Sequence, residues 1–529
     1  VAVVVPWYVD DLRCGVATVK PGVDIAAKTT TGAQWTVGGV GRSGARVVTT
    51  IDGRAAYGGT PTDESIVDLV AELRRRGLAV TLIPFPLMDI AAGNTLPDPW
   101  TGATSQPAYP WRGRITVAPA PGRPGTPHET AAPPTHDTAI LRTAQPAHVA
   151  AQGKTVVYSG PAEWSYRRFV LHLARLAEVA GGIDTLLIGS ELRGLTRVRS
   201  GRTAFPAVDA LVALATEAKA TLRAGTNVSY AADWTEYGGY VPPNRPGDLL
   251  FPLDALWASS AIDRVGIDAY WPLSDWRDGP AHADLALASS GTDRAYLAGN
   301  MTAGEGFDWY YANDAARAAQ ARLPITDGAH GKPWVHRPKD LIGWWSNPHV
   351  PRLDGVELAS PTGWSPGLKP IRFTEVGFAA VDKAANAPSA FPDPKSSEGG
   401  LPPFSTGARD DHAQRRALEV FLDHFDPARA GSLARNPVSP LDGRRMVDVA
   451  ETHVWCWDAR PYPVFPVAED VWSDGSAWHT GHWLNGRLGS APLDGLLPVL
   501  AAEFGGPAIE AEACDVVLAG TVIDEIMTG

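Results

Sequence analysis

Cysteine is scarce in this chain of 529 residues. It occurs only as Cys14, Cys456 and Cys514, which lie far apart in the sequence. No CxxC pair or HExxH pair is present, so the sequence supports neither a disulfide framework nor a zinc site. This cysteine usage is typical of a protein made in a reducing compartment. We expect neither a metal nor a cofactor.

Basic charge and long apolar runs are also in short supply. Lys and Arg number 46 against 58 Asp and Glu, which gives a net charge of −12. An acidic chain is disfavoured as a nucleic-acid binder, because neutralising phosphates needs a basic surface. The apolar start Val1–Val5 is too short to span a bilayer and has no basic segment before it. We therefore predict no nucleic-acid partner and no membrane segment.

Tryptophan, by contrast, is abundant, with 19 residues in the chain. The flat apolar face of an indole can stack on a sugar ring, which is how carbohydrate sites use this residue. The same ring also serves as a large packing element in a core or beneath a loop. The composition alone leaves both interpretations open.

Short β-branched runs alternate with amphipathic helical patterns along the chain. This order predicts an α/β protein with a parallel sheet, and we expect a (β/α)8 TIM barrel. Helices are predicted at Thr62–Arg76, Ala162–Ala180, Ala207–Ala224 and Asp410–His424. Strands are predicted at Val1–Val5, Leu78–Phe85, Ile183–Gly189, Asn227–Ala231, Arg264–Ala269, Ile371–Thr374 and Glu451–Trp457. A closed barrel needs an eighth strand, which we expect to precede Val1.

The barrel is predicted to cover residues 1–489, interrupted by long inserted loops at 90–160, 326–370 and 384–407. Each of these loops is rich in proline, and the first is expected to hold a small hairpin around Trp111–Val117. The alternation stops after Trp483. Residues 490–529 are predicted to open a following domain, with a helix at Leu493–Phe504 and a strand at Val516–Met527.

Two glutamates directly follow predicted barrel strands. Glu191 ends the run Leu186–Ser190, and Glu375 ends Ile371–Thr374. Ligands of parallel α/β sheets lie at the carboxyl ends of the strands. Glycoside hydrolysis needs such a pair, one carboxyl as proton donor and the other as nucleophile or base. The alternative is that each glutamate caps a helix or pairs with a nearby arginine, Arg193 or Arg372.

The order of these motifs resembles clan A of the glycoside hydrolases, particularly a bacterial mannanase-like family. The resemblance implies that Glu191 is the acid/base at the end of the fourth strand and Glu375 the nucleophile at the end of the seventh. Clan members usually carry Asn before the acid/base, and Ser190 stands there in this chain. The resemblance also implies that Tyr270 hydrogen-bonds the nucleophile, and Asp268 is interpreted as a structural residue.

Further substrate-binding candidates surround the predicted strand ends. Asp233 and Trp234 follow the fifth strand and are expected to face the mouth. Trp455 and Trp457 alternate on the last predicted strand, so one of them should form the floor under the sugar. The substrate-binding candidates are Tyr270, Trp271, Asp233, Trp234, Trp455, Trp457, Arg193 and Trp7.

A narrower resemblance rests on several short motifs that occur together. The chain is similar to the TIM-barrel-like domain of the large tail-tip protein of gene transfer agents, which is related to phage host-specificity proteins. The resemblance covers about residues 1–483, and residues 490–529 resemble the opening of the tail domain that follows in that family. It implies a virion component made in the bacterial cytoplasm, a trimeric tail tip with other tail proteins as neighbours, and a cell-surface glycan as ligand. The motifs are Val5-Pro6-Trp7-Tyr8, Tyr57-Gly58-Gly59-Thr60-Pro61, Pro84-Phe85-Pro86-Leu87-Met88-Asp89 and Gly343-Trp344-Trp345-Ser346-Asn347.

Two functions remain open on this reasoning. The first is a retaining glycosidase that cuts surface glycan, and the second is a catalytically silent barrel that binds glycan or builds the tail tip. A retaining site needs carboxyl groups about 5–5.5 Å apart, and an inverting site needs about 6.5–9.5 Å. We also expect the pKa of Glu191 to be raised, since a general acid must hold its proton near neutral pH, while Glu375 stays ionised.

Overall fold

A computed structural model describes residues 1–28, 31–32, 34–129, 139–141, 143–458, 460, 464–470 and 474–484. The chain divides into two compact units. The first comprises Val1–Asp268, Ser346–Arg372 and Ser439–Arg444, and the second comprises Ala269–Trp345, Phe373–Val438 and the residues from Arg445 onward. The predicted tail elements at 493–504 and 516–527 lie outside the described residues.

The first unit is built on a sheet whose strands follow the predicted order. The strands are β1 (Ala2–Val9), β2 (Val19–Lys20), β3 (Thr81–Met88), β4 (Thr185–Ser190), β5 (Asn227–Asp233), β6 (Val265–Asp268) and β7 (Ile371–Glu375). Their order across the sheet is β7-β6-β5-β4-β3-β1-β2, and the pairs β1/β3, β3/β4, β4/β5 and β5/β6 are parallel. Strand β7 enters this unit with Ile371 and Arg372 and continues into the second unit.

The sequence of these strands explains their burial. All six residues of β4 and all four of β6 are buried, as are seven of the eight in β3. Strands that are covered on both faces read as near-continuous apolar runs, and these strands do. Six of the seven predicted strands are confirmed, within a few residues at each end. The edge strand β2 was not predicted, and it runs antiparallel to β1 through Tyr8 and Val9.

Two of the long helices start at side-chain caps. Thr62 caps α1 by accepting from the backbone N–H of Ser65, and Ser165 caps α2 by accepting from Arg168. Each cap satisfies a helix N–H group that has no partner within the helix. The helices are α1 (Asp63–Arg75), α2 (Tyr166–Val179), α3 (Arg193–Thr196), α4 (Pro206–Thr221), α5 (Asp254–Ala258), α6 (Arg294–Gly299), α7 (Asp314–Ala318), α8 (Leu341–Ser346), α9 (Asp411–Phe425), α10 (Ser432–Arg435), α11 (Val464–Val467) and α12 (Gly475–His479).

Short two-stranded ribbons lie in the loops. One of them, Val149–Gln152 with Thr155–Tyr158, is the hairpin of the first inserted loop. The others pair Gly22–Val23 with Arg46–Val47, Thr36–Val37 with Val40–Gly41, Thr50–Ile51 with Arg54–Ala55, Trp309–Tyr310 with Leu323–Pro324, and Arg352–Leu353 with Val356–Glu357.

The hairpin predicted around Trp111–Val117 is wrong. The segment forms a 3-10 turn at Arg112–Arg114 instead. The backbone of Thr116 bonds to Cys14 and Leu12, so its hydrogen-bonding groups are used by the chain that follows β1. The backbone of this segment therefore pairs with residues that are distant in sequence, and not with a neighbouring strand of a local hairpin.

The strand predicted at Glu451–Trp457 is confirmed only in its middle, where residues 453–455 pair with the β7 chain. Val454 makes only a single bridge to Val376. The preceding residues form a 3-10 turn at Val449–Glu451, and the backbone of Cys456 then bonds to His482 and Leu484 rather than along β7. Three backbone hydrogen bonds join His453 and Trp455 to Phe373 and Val376 of the β7 chain, and the pairing ends at Trp455. The alternation argument therefore does not extend to Trp457. Across the described ranges, no helix has the length and apolarity needed to cross a membrane.

Candidate active site

Glu191 occupies an unusual backbone position at the carboxyl end of β4. The register of β4 against β5 shifts between Leu187 and Ser190, and Glu191 has a φ of +52°. A residue with a Cβ enters this left-handed region only at a cost, so the surrounding contacts must hold it there. The Glu191 N–H donates to the Ala231 carbonyl at 2.8 Å, and the next N–H, of Leu192, donates to the Tyr230 hydroxyl at 2.8 Å.

The carboxylate of Glu191 meets two donors from the first inserted loop. The Trp111 indole N–H donates to Oε2 at 2.7 Å, and Arg112 Nη2 lies 2.9 Å from the same oxygen. Arg112 also donates to the carbonyl and to the hydroxyl of Ser190, and its guanidinium lies 4.0 Å from the ring centroid of Phe85. The arginine partner of Glu191 is therefore Arg112 and not Arg193, which corrects the pairing considered from the sequence.

Ser190 links this cluster to the next strand. Its hydroxyl accepts from Arg112 at 2.7 Å and donates to Asp268 at 3.3 Å. Asp268 is fully buried, consistent with the structural role predicted for it. The serine that replaces the usual clan Asn thus joins two buried charged side chains.

Arg193 and Asp233 lie near one another within the first unit. Arg193 Nη1 lies 3.6 Å from Asp233 and donates to the Thr235 hydroxyl at 2.6 Å. Asp233 also accepts from the backbone N–H of Thr235 at 3.0 Å. The guanidinium of Arg193 lies 5.5 Å from the Trp111 ring centroid. The predicted substrate-binding pair is thus brought next to the Glu191 cluster, and Trp234 beside it is half-buried.

Burial raises the pKa of Glu191 above the ordinary glutamate value. The charge of Arg112 opposes this rise, and that of Asp233 adds to it. The direction agrees with the expectation for a proton donor. Desolvation is the largest contribution to this rise, and the carboxylate that adds to it is Asp233.

In the second unit, Glu375 ends β7 and is 5% exposed. The Tyr270 hydroxyl donates to its Oε2 at 2.6 Å, which confirms the contact predicted for this tyrosine. Tyr270 is itself packed edge-on against Phe391 and His482, whose rings stack on each other with centroids 4.0 Å apart. The phenol is therefore fixed by packing as well as by its hydrogen bond.

Two tryptophans predicted to bind substrate are buried instead. Trp7 is fully buried and stacks on Phe169 with centroids 4.6 Å apart. Trp271 is 1% exposed and packs against Phe373 and Phe421. An indole covered by protein rings has no face to offer a sugar, so for these two residues the core interpretation is correct.

The two tryptophans after the second glutamate differ in exposure. Trp457 is 71% exposed, while Trp455 is half-buried, and the backbone N–H of Trp455 donates to the Val376 carbonyl. Their role under a sugar stays a prediction.

Sequence reasoning missed Trp111, Arg112 and Glu236, and the only available signal was a Trp-Arg pair inside a proline-rich loop. In the part of the chain that the structure describes, no group of three His, Cys, Asp or Glu side chains could hold a metal ion.

The model of the GTA TIM-barrel-like domain matches residues 164–466, more than half of the chain. The chain belongs to this family. The fold of this GTA TIM-barrel-like chain is accordingly TIM-barrel-like, with a central parallel sheet and helices. No curated protein matches it.

Solved structures similar to this GTA TIM-barrel-like chain include three of GH113 mannanases. A complex of a GH113 β-1,4-mannanase is 13% identical to this chain, with a TM-score of 0.36. The match covers 88% of this chain and 81% of the mannanase chain. A further GH113 β-1,4-mannanase structure is 12% identical, with coverages of 92% and 83% and a TM-score of 0.36. The GH113 β-mannanase AaManA from Alicyclobacillus acidocaldarius, in complex with ManMIm, is 14% identical, with coverages of 81% and 76% and a TM-score of 0.33.

Proposed function

We propose that this barrel acts on cell-surface glycan by a retaining two-glutamate mechanism, with Glu375 as nucleophile and Glu191 as acid/base. The observation that carries the proposal is the 2.6 Å hydrogen bond from Tyr270 to Glu375 at the end of β7. A buried phenol aimed at one carboxylate oxygen orients the group and favours its charged form. An ionised, oriented carboxylate is what a nucleophile requires.

Glu191 suits the complementary role. Burial raises its pKa, which favours the protonated carboxyl that a general acid requires. In the first step, Glu375 forms a bond to the anomeric carbon while Glu191 gives its proton to the departing oxygen. In the second step, Glu191 takes a proton from water, whose oxygen displaces Glu375 from the sugar.

A second candidate, a catalytically silent glycan-binding or structural module, is favoured by two contacts at Glu191. Trp111 and Arg112 both donate to Oε2 of Glu191, and two donors on one oxygen stabilise the carboxylate rather than the acid. A Glu191 held permanently ionised cannot protonate a leaving group. Turnover therefore separates the two candidates.

The biological setting is part of the same proposal and rests on the family. We propose a virion component made in the bacterial cytoplasm, placed in a phage-like tail tip as a trimer with other tail proteins. Its ligand there is a polysaccharide or other glycan of the recipient cell surface.

The test uses the purified chain with aryl glycosides that carry good or poor leaving groups. Glu375→Gln should abolish hydrolysis of both. Glu191→Gln should slow poor leaving groups far more than activated ones, because activated ones need little protonation. Glu72→Gln, on α1 with the pKa of Glu72 lowered to about 2 by Arg75 and Arg76, serves as the control and should leave both rates unchanged.

The stereochemistry of the product completes the test. Proton NMR of the first-formed sugar should show retention of the anomeric configuration, and inversion would reject Glu375 as nucleophile. Wild-type rates in both site variants would reject the mechanism altogether. If no glycoside is cleaved but a glycan array shows binding, the silent module is the function.

A further inference from the structure

We propose that Glu236 is a positioning residue for Glu191, acting through the Tyr230 hydroxyl on the backbone of Leu192. The inference rests on the proposed role of Glu191 and adds a second buried carboxyl to the same end of the sheet. Glu236 is 2% exposed and was not a candidate from the sequence. It lies three residues beyond Asp233, in the turn that follows β5, and its N–H donates to the Asp233 carbonyl at 2.7 Å.

The argument starts from the strained turn at Glu191. Its φ of +52° has to be imposed by the neighbouring structure. The two peptide N–H groups on either side of its Cα are both held by β5, one by the Ala231 carbonyl and the other by the Tyr230 hydroxyl. The direction of the Glu191 side chain follows from this pair of bonds.

The Tyr230 hydroxyl has one proton and therefore one direction of donation. It accepts from the Leu192 N–H at 2.8 Å, so its own proton points to Oε1 of Glu236 at 2.9 Å. Tyr230 is fully buried, and in a buried site a hydroxyl that loses its acceptor is costly. Glu236 thereby fixes the orientation of the group that holds Leu192.

Glu236 is arranged to accept hydrogen bonds. Its Oε1 also accepts from the Thr196 hydroxyl at 2.6 Å, and its Oε2 accepts from the backbone N–H of Asp233 at 3.1 Å. Three donors thus point at the two carboxyl oxygens. Adding a proton to this carboxyl places a fourth hydrogen among them and weakens the bond from Tyr230.

The ionisation of Glu236 changes near neutral pH. Burial raises its pKa to about 7, with the charge of Asp233 adding to the rise. The bonds from Thr196 and Tyr230 and the charge of Arg197 oppose it. Of the charged and titratable groups acting on Glu236, Tyr230 and Asp233 come from β5 and Arg197 follows α3. The hold on Leu192 should accordingly tighten as the pH rises from 6 to 8.

The test measures amide hydrogen exchange at Leu192 by NMR in the full chain, as a protection factor corrected for the intrinsic rate at each pH. Tyr230→Phe removes only the hydroxyl and should lower protection at least tenfold, the effect of one lost buried hydrogen bond. Thr196→Val is the matched control. It removes another hydroxyl donor to the same Glu236 oxygen, but not the link to Leu192, and should stay within threefold of the wild type.

Glu236→Gln separates positioning from simple packing. It can keep an oxygen facing Tyr230 but cannot titrate, so it should retain protection while removing the rise between pH 6 and pH 8. The proposal is overturned if Tyr230→Phe behaves like Thr196→Val, or if the pH dependence survives in Glu236→Gln. Where the barrel turns over substrate, Tyr230→Phe should lower kcat about tenfold and leave KM within twofold.

The proposed function and the positioning role of Glu236 can fail independently of each other. Loss of the hydrolytic mechanism would appear as absent turnover or as indifference to Glu375→Gln, and neither result affects exchange at Leu192. Unchanged exchange in Tyr230→Phe would reject the positioning role even in an active enzyme.

Discussion

Arg112 Nη2 lies 2.9 Å from Oε2 of Glu191, and the two side chains are only 9% and 8% exposed. Each charge has been taken out of water and depends on the other for compensation. The pair joins a proline-rich loop to the end of β4, so it ties the candidate acid/base to a segment far away in sequence. Much of the chemistry of Glu191 should therefore depend on Arg112.

Replacing Arg112 with methionine should reduce the free energy of unfolding by about 3–5 kcal/mol at pH 8, because Glu191 is left buried without a cation. The deficit should shrink towards pH 5. The pKa of Glu191 is already raised in the folded state and rises further without Arg112, so the folded protein binds an extra proton as the pH falls. Urea denaturation across this pH range measures the effect.

Two comparisons make the Arg112 result specific. Adding Glu191→Gln to Arg112→Met should recover most of the lost stability and remove its pH dependence. Arg193→Met is the matched arginine control, with a side chain 37% exposed and 3.6 Å from Asp233, and should cost about 1 kcal/mol or less. A deficit in Arg112→Met that is the same at pH 5 and pH 8 would show that Glu191 is not the group responsible.

Replacing Tyr270 with phenylalanine should lower turnover at least tenfold, because Glu375 loses the donor that orients it. The stability cost should be about 2 kcal/mol, as for other hydrogen bonds to charged groups. Tyr311→Phe is the control, since the Tyr311 hydroxyl donates to Asp275 at the same 2.6 Å. It should lower stability without changing turnover, and equal losses of turnover in the two variants would contradict the role given to Tyr270.

Replacing Gly194 with alanine should displace the turn that carries Trp111 and Arg112. An added Cβ would lie 2.7 Å from the carbonyl oxygens of Gly113 and Ile115, and backbone atoms cannot move aside cheaply. We expect a loss of about 1–3 kcal/mol and a further rise in the pKa of Glu191, measured by carboxyl 13C NMR. Gly201→Ala, whose Cβ meets nothing within 4 Å, should leave both unchanged. A fully stable Gly194→Ala with an unshifted Glu191 would refute this reading of the contact.

Two tryptophan substitutions should separate packing from sugar binding. Trp271→Ala removes a buried ring and should cost about 3–5 kcal/mol. Trp457→Ala removes a ring that is 71% exposed and should change stability by less than about 0.5 kcal/mol. In glycan-array binding, however, Trp457→Ala should reduce the signal at least fivefold. Undiminished binding would leave Trp457 without a role in glycan recognition.

Local sequence patterns were sufficient for most of the framework. Apolar runs predicted β3, β4 and β6 because strands covered on both faces exclude polar residues. The helix predicted from Thr62 starts there because the Thr62 side chain accepts from a backbone N–H three residues later. Glu191 and Glu375 were identified for the same local reason, since each directly follows such a run. Tyr270 was added by family resemblance, and its contact with Glu375 agrees with it.

Long-range contacts decided the rest. Trp111 lies 80 residues before Glu191, and no pattern within a single segment could show that the first inserted loop returns to this carboxylate. Burial likewise separated Trp7 and Trp271 from Trp457, although all three are tryptophans beside predicted strand ends. The pairing of residues 453–455 with the β7 chain ends there because the next backbone groups, those of Cys456, bond to His482 and Leu484. By itself the sequence determined the alternating framework and the two glutamates at its strand ends. The hydrogen-bond partners of Glu191, the burial of the tryptophans and the shifted pKa of Glu191 were decided only by the tertiary structure, because they depend on which distant segments pack together.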